Sequence, residues 1–363
     1  MAQEILQRVS SFSRPGKPKR VDPRHSDVPN VRPEHETPHA DSRLLMRGAK
    51  VDTLVPYACI GAWAWGDSAT WAYRAERDMP RIREAWEHLR AAGFNWIDTA
   101  QAFGSGESER ICGELLADLP RDEFVVQTKW FAVPDGVNLT AGGQHAPRKK
   151  LEESLRRLRL EYVDIYLVHG TLHPSSIRTV AKGLAECVDQ GLTRAVGVVN
   201  YDAEQMMRMA KALARYRLPL ATNVCEYSVL RRHPETHGLI RVCRDQGIIF
   251  QSCAPLAQGR LTGKYSRGNQ PRESYCASSY PIEEIEETIA LLRRIAEARR
   301  VPIAAVALNY NLCKGTVPIV GIRNADQAAD LTRALGWRLS TDEIRAIERV
   351  SLEGKTNVVW QRA

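Results

Sequence analysis

The sequence alternates eight apolar runs with segments whose apolar residues recur at helical spacing. Such runs are typical of buried strands, and strict alternation of strand and helix favours a parallel sheet covered by helices. Eight repeats, with no GxGxxG after an early strand, favour a closed barrel over a Rossmann sheet. The sequence therefore predicts an α/β fold, a (β/α)8 TIM barrel with an irregular N-terminal extension. The predicted strands are PYACIGAWAW, FNWIDT, FVVQTK, YVDIYLVH, TRAVGVV, LATNVCEYS, GIIFQSCAP and TVPIVGI.

Several helices of this barrel have boundaries that the sequence predicts. Pro80 is predicted to open the first helix, because a missing N–H costs nothing in the first turn. Further helices are predicted from Glu107 to Leu116, from Pro147 to Leu158 and from Ser176 to Gln190.

Four polar residues each end an apolar run or directly follow one. Asp98, Lys129, His169 and Asn200 recur at separations of 31, 40 and 31 residues. In a parallel barrel the loops after the strands meet at one mouth, where active sites are built. We therefore expect these four residues to share one pocket.

The N-terminal part differs in composition from the rest of the chain. The net charge is +8, and residues 1–50 carry ten Lys and Arg against six Asp and Glu. The stretch from Arg14 to Pro38 is rich in proline and charge, so it buries too little apolar surface to order itself alone. We predict an irregular extension over 1–50 and a barrel domain over 51–363. A nucleic-acid role is not expected, because the basic cluster Lys17 to Arg20 lacks interleaved aromatic residues.

The remaining composition indicates a cytoplasmic protein. Eight cysteines stand singly, without a CxxC pair or metal-ligand spacing, so no metal site is predicted. No apolar stretch is long enough to span a bilayer, and no signal-peptide core precedes the barrel. A membrane role is therefore not expected. No apolar surface stripe stands out, and the oligomeric state is left open.

Longer motifs occur in a fixed order along the chain and carry a resemblance. They are IDTAQAFGSGESERICGELL, YVDIYLVHG, GVVNYDAEQ, APLAQGRLTGKY and VPIVGIRNADQAADLTRALGW. Together they resemble the aldo-keto reductases, NADPH-dependent carbonyl reductases built on this barrel. The resemblance runs from about Val55 to about Arg349.

The resemblance implies catalytic roles for three of the strand-end residues. In this family a tyrosine donates a proton to the carbonyl, a lysine lowers the pKa of that tyrosine, an aspartate pairs with the lysine, and a histidine orients the substrate. Asp98, Lys129 and His169 match these positions, but Phe103 occupies that of the tyrosine. A positioned acid contributes on the order of 100- to 10,000-fold, so standard carbonyl reduction is expected to be impaired. His169 or a water on Lys129 is the expected substitute donor.

The resemblance also implies that NADP(H) is the cofactor. The implied ligands follow the fifth, seventh and eighth strands and hold the nicotinamide amide, the pyrophosphate, the 2′-phosphate and the adenine in turn. They are Asn200, then Leu256, Gln258 and Leu261, then Arg323 and Gln327, and finally Asp330. Three further positions lack the family's usual side chains around the nicotinamide ring, because they read Val199, Val224 and Cys253.

Aromatic residues follow the first three strands. Trp65, Phe103 and Trp130 are predicted to contact a small hydrophobic or aromatic substrate. Trp63 and Trp65 are spaced by two and are expected to point the same way from a strand.

Three functions remain open at this point. The first is an NADP(H)-binding enzyme of aldo-keto reductase type acting on a carbonyl-type substrate with Phe103 in place of the acid. The second is a redox-neutral isomerase, dehydratase or cyclase that uses His169, Lys129 and Asp98 as acid/base groups. The third is a non-catalytic NADP-binding pseudoenzyme. Altered residues at Val199, Val224 and Cys253 are the reason for keeping the last two.

Overall fold

The fold is described from a computed structural model of the chain. The structure describes residues 19–20, 37–41, 43–131, 145–171, 173, 175–271 and 280–354. Most of the extension predicted over 1–50 lies outside these residues, so its irregular structure and the domain boundary at residue 50 stay predictions.

Eight parallel strands close into a barrel, in the order β1 to β8 with β8 paired to β1. The predicted TIM barrel is therefore confirmed. Each strand lies within its predicted run, except that β3 extends one residue further. The strands are β1 Cys59–Gly61, β2 Trp96–Asp98, β3 Val125–Trp130, β4 Val163–Val168, β5 Thr193–Val199, β6 Leu220–Glu226, β7 Ile249–Cys253 and β8 Val317–Gly321.

Eight helices follow the strands and cover the barrel. They are α1 Ala75–Ala91, α2 Glu107–Leu116, α3 Ala146–Leu158, α4 Ile177–Asp189, α5 Ala203–Ala214, α6 Leu239–Gln246, α7 Ile303–Cys313 and α8 Ala325–Thr332. Additional helices in the described residues are Ser68–Trp71, His233–Thr236, Glu286–Arg299 and Thr341–Val350.

The start of α1 differs from the prediction. The helix begins at Ala75, so Pro80 lies inside it and not at its opening. The carboxylate of Asp78 accepts the backbone N–H of Arg74 at 2.8 Å, which caps the helix one turn earlier than the proline indicates.

Two short antiparallel pairs lie outside the barrel sheet. Arg43–Met46 pairs with Thr53–Pro56, and Lys19–Arg20 pairs with Leu352–Glu353. Met46 of the first pair is fully buried and packs into the apolar cluster inside the barrel. The first pair therefore closes one end of the barrel.

Alternate residues of each strand face the barrel interior. The inner cluster contains Trp96 of β2, Val125 of β3 and Leu167 of β4. Because side chains alternate along a strand, Asp98 and Lys129, two and four residues further on, face the same interior at the opposite end. The fold thus brings the strand ends of β2 and β3 to one mouth.

Candidate active site

Lys129 is held at the mouth of the barrel by two oxygen atoms. Its Nζ donates to Asp98 Oδ1 at 2.5 Å and to the carbonyl of Thr99 at 2.9 Å. Lys129 and Asp98 are 3% and 4% exposed. These hydrogen bonds within a buried ion pair fix the ammonium in position.

Phe103 lies beside this ammonium. Its ring centroid is 4.6 Å from Lys129 Nζ, and it stacks on Trp63 with ring centroids 5.7 Å apart. The next residue, Gly104, has a φ of +56°, and a Cβ atom there would lie 2.6 Å from the carbonyl oxygen of Gly66. Glycine at this position therefore allows the turn that places Phe103 over Lys129.

His169 completes the group of strand-end residues. Its ring centroid lies 6.0 Å from that of Phe103 and 5.5 Å from that of Phe131. Burial, and secondarily the nearby charge of Lys129, lowers the pKa of His169 to about 3. The imidazole is therefore neutral at pH 7, and it can donate one N–H without carrying a positive charge.

A polar chain crosses the barrel below Lys129. Gln127 Nε2 donates to Asp98 Oδ1 at 2.6 Å and to Gln251 Oε1 at 3.0 Å. Gln251 Nε2 donates back to Gln127 Oε1 at 3.1 Å and to Thr222 Oγ1 at 2.9 Å. The chain links β2, β3, β7 and β6. All three uncharged side chains are fully buried.

The strand ends of β5, β6 and β7 form an apolar surface at the predicted nicotinamide positions. Val199 and Val224 are buried in the inner cluster, and Cys253 packs against it. Asn200 has a φ of +59°, and its backbone N–H donates to the carbonyl of Val224 at 2.8 Å. Within the described residues the Asn200 side-chain amide makes no hydrogen bond, so it is available to a ligand.

The loop after β7 has an unusual backbone. Ala257 and Gln258 have positive φ angles of 46° and 55°, and Gly259 follows at 89°. Strained backbone of this kind clusters at ligand-binding loops. Leu256 and Gln258 are partly exposed, but Leu261 is fully buried against the core.

The start of α8 presents a guanidinium. Arg323 lies 5.8 Å from the ring of Trp71 and donates to its carbonyl at 3.4 Å. Among the described residues no ion pair to Arg323 is formed. Gln327 Oε1 accepts the backbone N–H of Arg323 at 2.8 Å. Asp330, one turn further, has its pKa raised by burial, and Asp326 adds to that rise.

The aldo/keto reductase family model matches residues 58–352. The chain belongs to the aldo/keto reductase family. It is 32% identical over 312 residues to the chloroplastic pyridoxal reductase of Arabidopsis thaliana, covering 82% of this chain and 84% of that protein. It is 29% identical over 287 residues to L-glyceraldehyde 3-phosphate reductase of Escherichia coli (strain K12), covering 74% and 83%.

Solved structures agree with the barrel of this aldo/keto reductase. The glycerol dehydrogenase of Gluconobacter oxydans superposes with a TM-score of 0.71 at 26% identity, covering 86% of this chain and 95% of that one. An aldo-keto reductase from Klebsiella pneumoniae in complex with NADPH gives 0.66 at 23% identity, covering 89% and 100%, and shows the shared fold.

Two aromatic residues predicted at the substrate mouth of this aldo/keto reductase are buried. Trp65 is 1% exposed, and its indole N–H donates to the carbonyl of Ile322 at 2.6 Å. Trp130 is fully buried in the layer between strands and helices. The expectation that Trp63 and Trp65 share a strand face is wrong, because β1 ends at Gly61. Contact of Trp65 or Trp130 with a substrate stays a prediction.

Three residues of the site were not predicted. Gln127 stands two residues before Lys129 on the same strand face, and that spacing was the available signal. Gln251 stands in the same relation to Cys253. Trp71 ends the short helix Ser68–Trp71, where no sequence motif marks it, and its ring lies 5.8 Å from the Arg323 guanidinium.

Two kinds of feature are absent from the described residues. No group of three or more His, Cys, Asp or Glu side chains is arranged to hold a metal ion there. No helix within the same residues is long and apolar enough to cross a membrane.

Proposed function

We propose that this aldo/keto reductase binds NADP(H) and acts on a small aromatic or hydrophobic carbonyl compound at the mouth formed by Asp98, Lys129 and His169. One observation carries the proposal. The ammonium of Lys129, fixed by Asp98, faces the Phe103 ring at 4.6 Å, and the ring of His169 lies 6.0 Å from that of Phe103. This arrangement supports a carbonyl-binding site in which Phe103 replaces the tyrosine that would donate the proton.

The adenosine end of the dinucleotide fits the residues present. The Arg323 guanidinium lacks a carboxylate partner among the described residues and can bind a 2′-phosphate in a fork. Within the described residues the Gln327 N–H2 group makes no hydrogen bond, while its oxygen accepts the Arg323 backbone N–H. Leu256, Gln258 and Leu261 belong to the loop that would cover the pyrophosphate, and Asp330 is the residue proposed to contact the adenine. The Klebsiella structure with NADPH supports the same cofactor class.

The nicotinamide end fits less well. Only the Asn200 amide is a polar group for the ring's carboxamide, because Val199, Val224 and Cys253 offer apolar surface. When bound, NADPH supplies a hydride. The apolar surface still accepts the flat ring, but one hydrogen-bonding residue orients it where the family usually has three.

The chain's own groups then have distinct roles. Neutral His169 donates an N–H to the carbonyl oxygen and orients it. Phe103 has no proton to give, so the alkoxide takes its proton from Lys129 through a bridging water. A relayed proton is slower than a direct one, and reduction of generic aldehydes is expected to be slow.

The walls of the mouth favour a flat substrate. Phe103 and Trp63 are stacked, and Phe131 faces His169 from another side. An aromatic aldehyde presents a ring for stacking and a carbonyl for His169. Pyridoxal has this chemistry, and the Arabidopsis relative is named for it.

A second candidate is a non-catalytic NADP-binding barrel. The observation that favours it is the apolar surface of Val199, Val224 and Cys253, which holds the reacting ring weakly. Redox-neutral acid/base catalysis by His169 is less favoured, because a catalytic base works best with a pKa near the working pH, and that of His169 is about 3.

Binding and turnover are tested separately. NADPH is titrated into the protein while tryptophan fluorescence is followed, with NADH as the comparison, and Trp71→Phe identifies the reporter beside Arg323. Pyridoxal and benzaldehyde are then supplied while NADPH absorbance is followed. Selective NADPH binding with slow turnover is the expected result. Binding without turnover of any carbonyl compound favours the second candidate, and absence of binding contradicts the proposal.

A further inference from the structure

The polar chain below Lys129 has a fixed hydrogen-bond direction. Asp98 is an ionised acceptor, so Gln127 must present its N–H2 group to it, and its Oε1 then faces Gln251. The Thr222 hydroxyl donates to the carbonyl of Ile249 at 2.6 Å, which leaves its oxygen to accept from Gln251. Both amide orientations therefore follow from groups at the two ends of the chain.

All four N–H bonds of the two amides are used. Gln127 donates to Asp98 and Gln251, and Gln251 donates to Gln127 and Thr222. A fully satisfied buried amide pair is rigid, because rotating either amide would orphan a donor and an acceptor. This rigid pair reaches the same oxygen, Asp98 Oδ1, that receives Lys129.

We infer that Gln127 and Gln251 are positioning residues that hold Asp98 Oδ1 at Lys129. The inference rests on the proposed function, because the position of the ammonium matters only at a working carbonyl site. The N–H2 group of Gln127 donates a hydrogen bond to the Asp98 carboxylate. This bond stabilises the negative charge and prevents the carboxylate from rotating away from Lys129. Gln251, anchored on β6 and β7, orients Gln127 from the opposite wall of the barrel.

A purely structural role is the competing explanation. A buried amide pair that ties β3 to β7 contributes to stability whether or not it affects Lys129. A suitable readout must therefore sense charge at the site and must not depend on cofactor, substrate or turnover. The ionisation of a phenol placed at position 103 meets this requirement, because that ring lies 4.6 Å from Lys129 Nζ.

The experiment uses the full-length Phe103→Tyr protein as the parent. The pKa of the introduced phenol is measured from tyrosinate absorbance, with the unsubstituted protein subtracted. Gln127→Met and Gln251→Met are then added together, since methionine keeps the length of the side chain and the double change orphans neither amide. Ser252→Ala with Thr316→Val is the matched control, because it removes a buried hydrogen bond of β7 that does not reach Asp98.

We expect the double methionine change to raise the phenol pKa by about 0.5, because Asp98 keeps more of its negative charge and Lys129 is held less firmly. The Ser252 and Thr316 control should leave it unchanged. Gln251→Met alone keeps the hydrogen bond from Gln127 to Asp98 and should raise the phenol pKa by a smaller amount. This single variant tests the inference if the double variant does not fold. An unchanged phenol pKa in the folded variants overturns the inference, even if their stability falls. Failure of NADPH binding would contradict the proposed function and would not alter this titration.

Discussion

The ammonium of Lys129 lies 4.6 Å from the centroid of the Phe103 ring. Two of the N–H bonds of Lys129 go to Asp98 and to the carbonyl of Thr99. The Phe103 ring lies near the same ammonium, at the position where the family resemblance predicts a tyrosine. A cation–π interaction of this kind stabilises an ammonium by about 0.5 to 2 kcal/mol. Phe103 therefore stabilises the positive charge of Lys129, although its ring cannot donate a proton. The ammonium thus lies beside a ring that carries no ionisable proton.

Restoring the proton donor should restore reduction. Phe103→Tyr should raise the rate of NADPH-dependent reduction of benzaldehyde by about 100- to 10,000-fold, because a positioned acid contributes that much. Phe131→Tyr is the matched control, since it places a phenol beside the same His169 but on a different ring from the one that faces Lys129. No gain from Phe103→Tyr would show that the nicotinamide is misplaced at the apolar strand ends.

Much of this site could be predicted because residues at the ends of successive strands, although regularly spaced along the sequence, lie close together in a repeating fold. Asp98 and Lys129 are 31 residues apart, yet the ends of neighbouring strands bring them to 2.5 Å. Contacts across the barrel follow no such rule. Gln127 and Gln251 are separated by 124 residues, and only the closed shape brings their amides together. The direction of Trp65 was missed because strand alternation stops where β1 ends at Gly61.

Arg323 should decide between NADPH and NADH. Arg323→Ala should weaken NADPH binding by about 10- to 100-fold, since hydrogen bonds to a charged group contribute about 1.5 to 3 kcal/mol. Binding of NADH, which lacks the 2′-phosphate, should change little. Arg333→Ala at the end of α8 is the control, and fluorescence titration measures all four combinations. Equal loss of NADH and NADPH affinity would contradict a phosphate-binding role.

Removing one partner of the Lys129–Asp98 ion pair should strongly lower the stability of the protein. Lys129→Met leaves a buried carboxylate without its cation and should lower the free energy of unfolding by about 3 to 5 kcal/mol. Adding Asp98→Asn removes the uncompensated charge while keeping an acceptor for Gln127, so the double variant should recover much of the loss. Urea denaturation of the two single variants and the double variant measures the coupling. Additive losses would show that the two groups do not interact.

His169 should make stability depend on pH in a defined direction. Its pKa is about 3 in the folded protein, against an ordinary value of 6.5. Between these values the unfolded chain binds more protons than the folded one, so the free energy of unfolding falls as the pH falls below 6.5. The slope from this residue is at most about 1.4 kcal/mol for each pH unit.

Replacing this histidine should therefore flatten the pH profile. His169→Gln cannot take up a proton, so its free energy of unfolding should fall less than that of the parent between pH 7 and pH 4.5, by up to about 1.4 kcal/mol per pH unit. His88→Gln, at an exposed position on α1, controls for the loss of any histidine. Urea denaturation across this range gives the slopes. Parallel profiles for the parent and His169→Gln would mean that the imidazole titrates freely in the folded protein, and His169 would return as a candidate acid in place of the missing tyrosine.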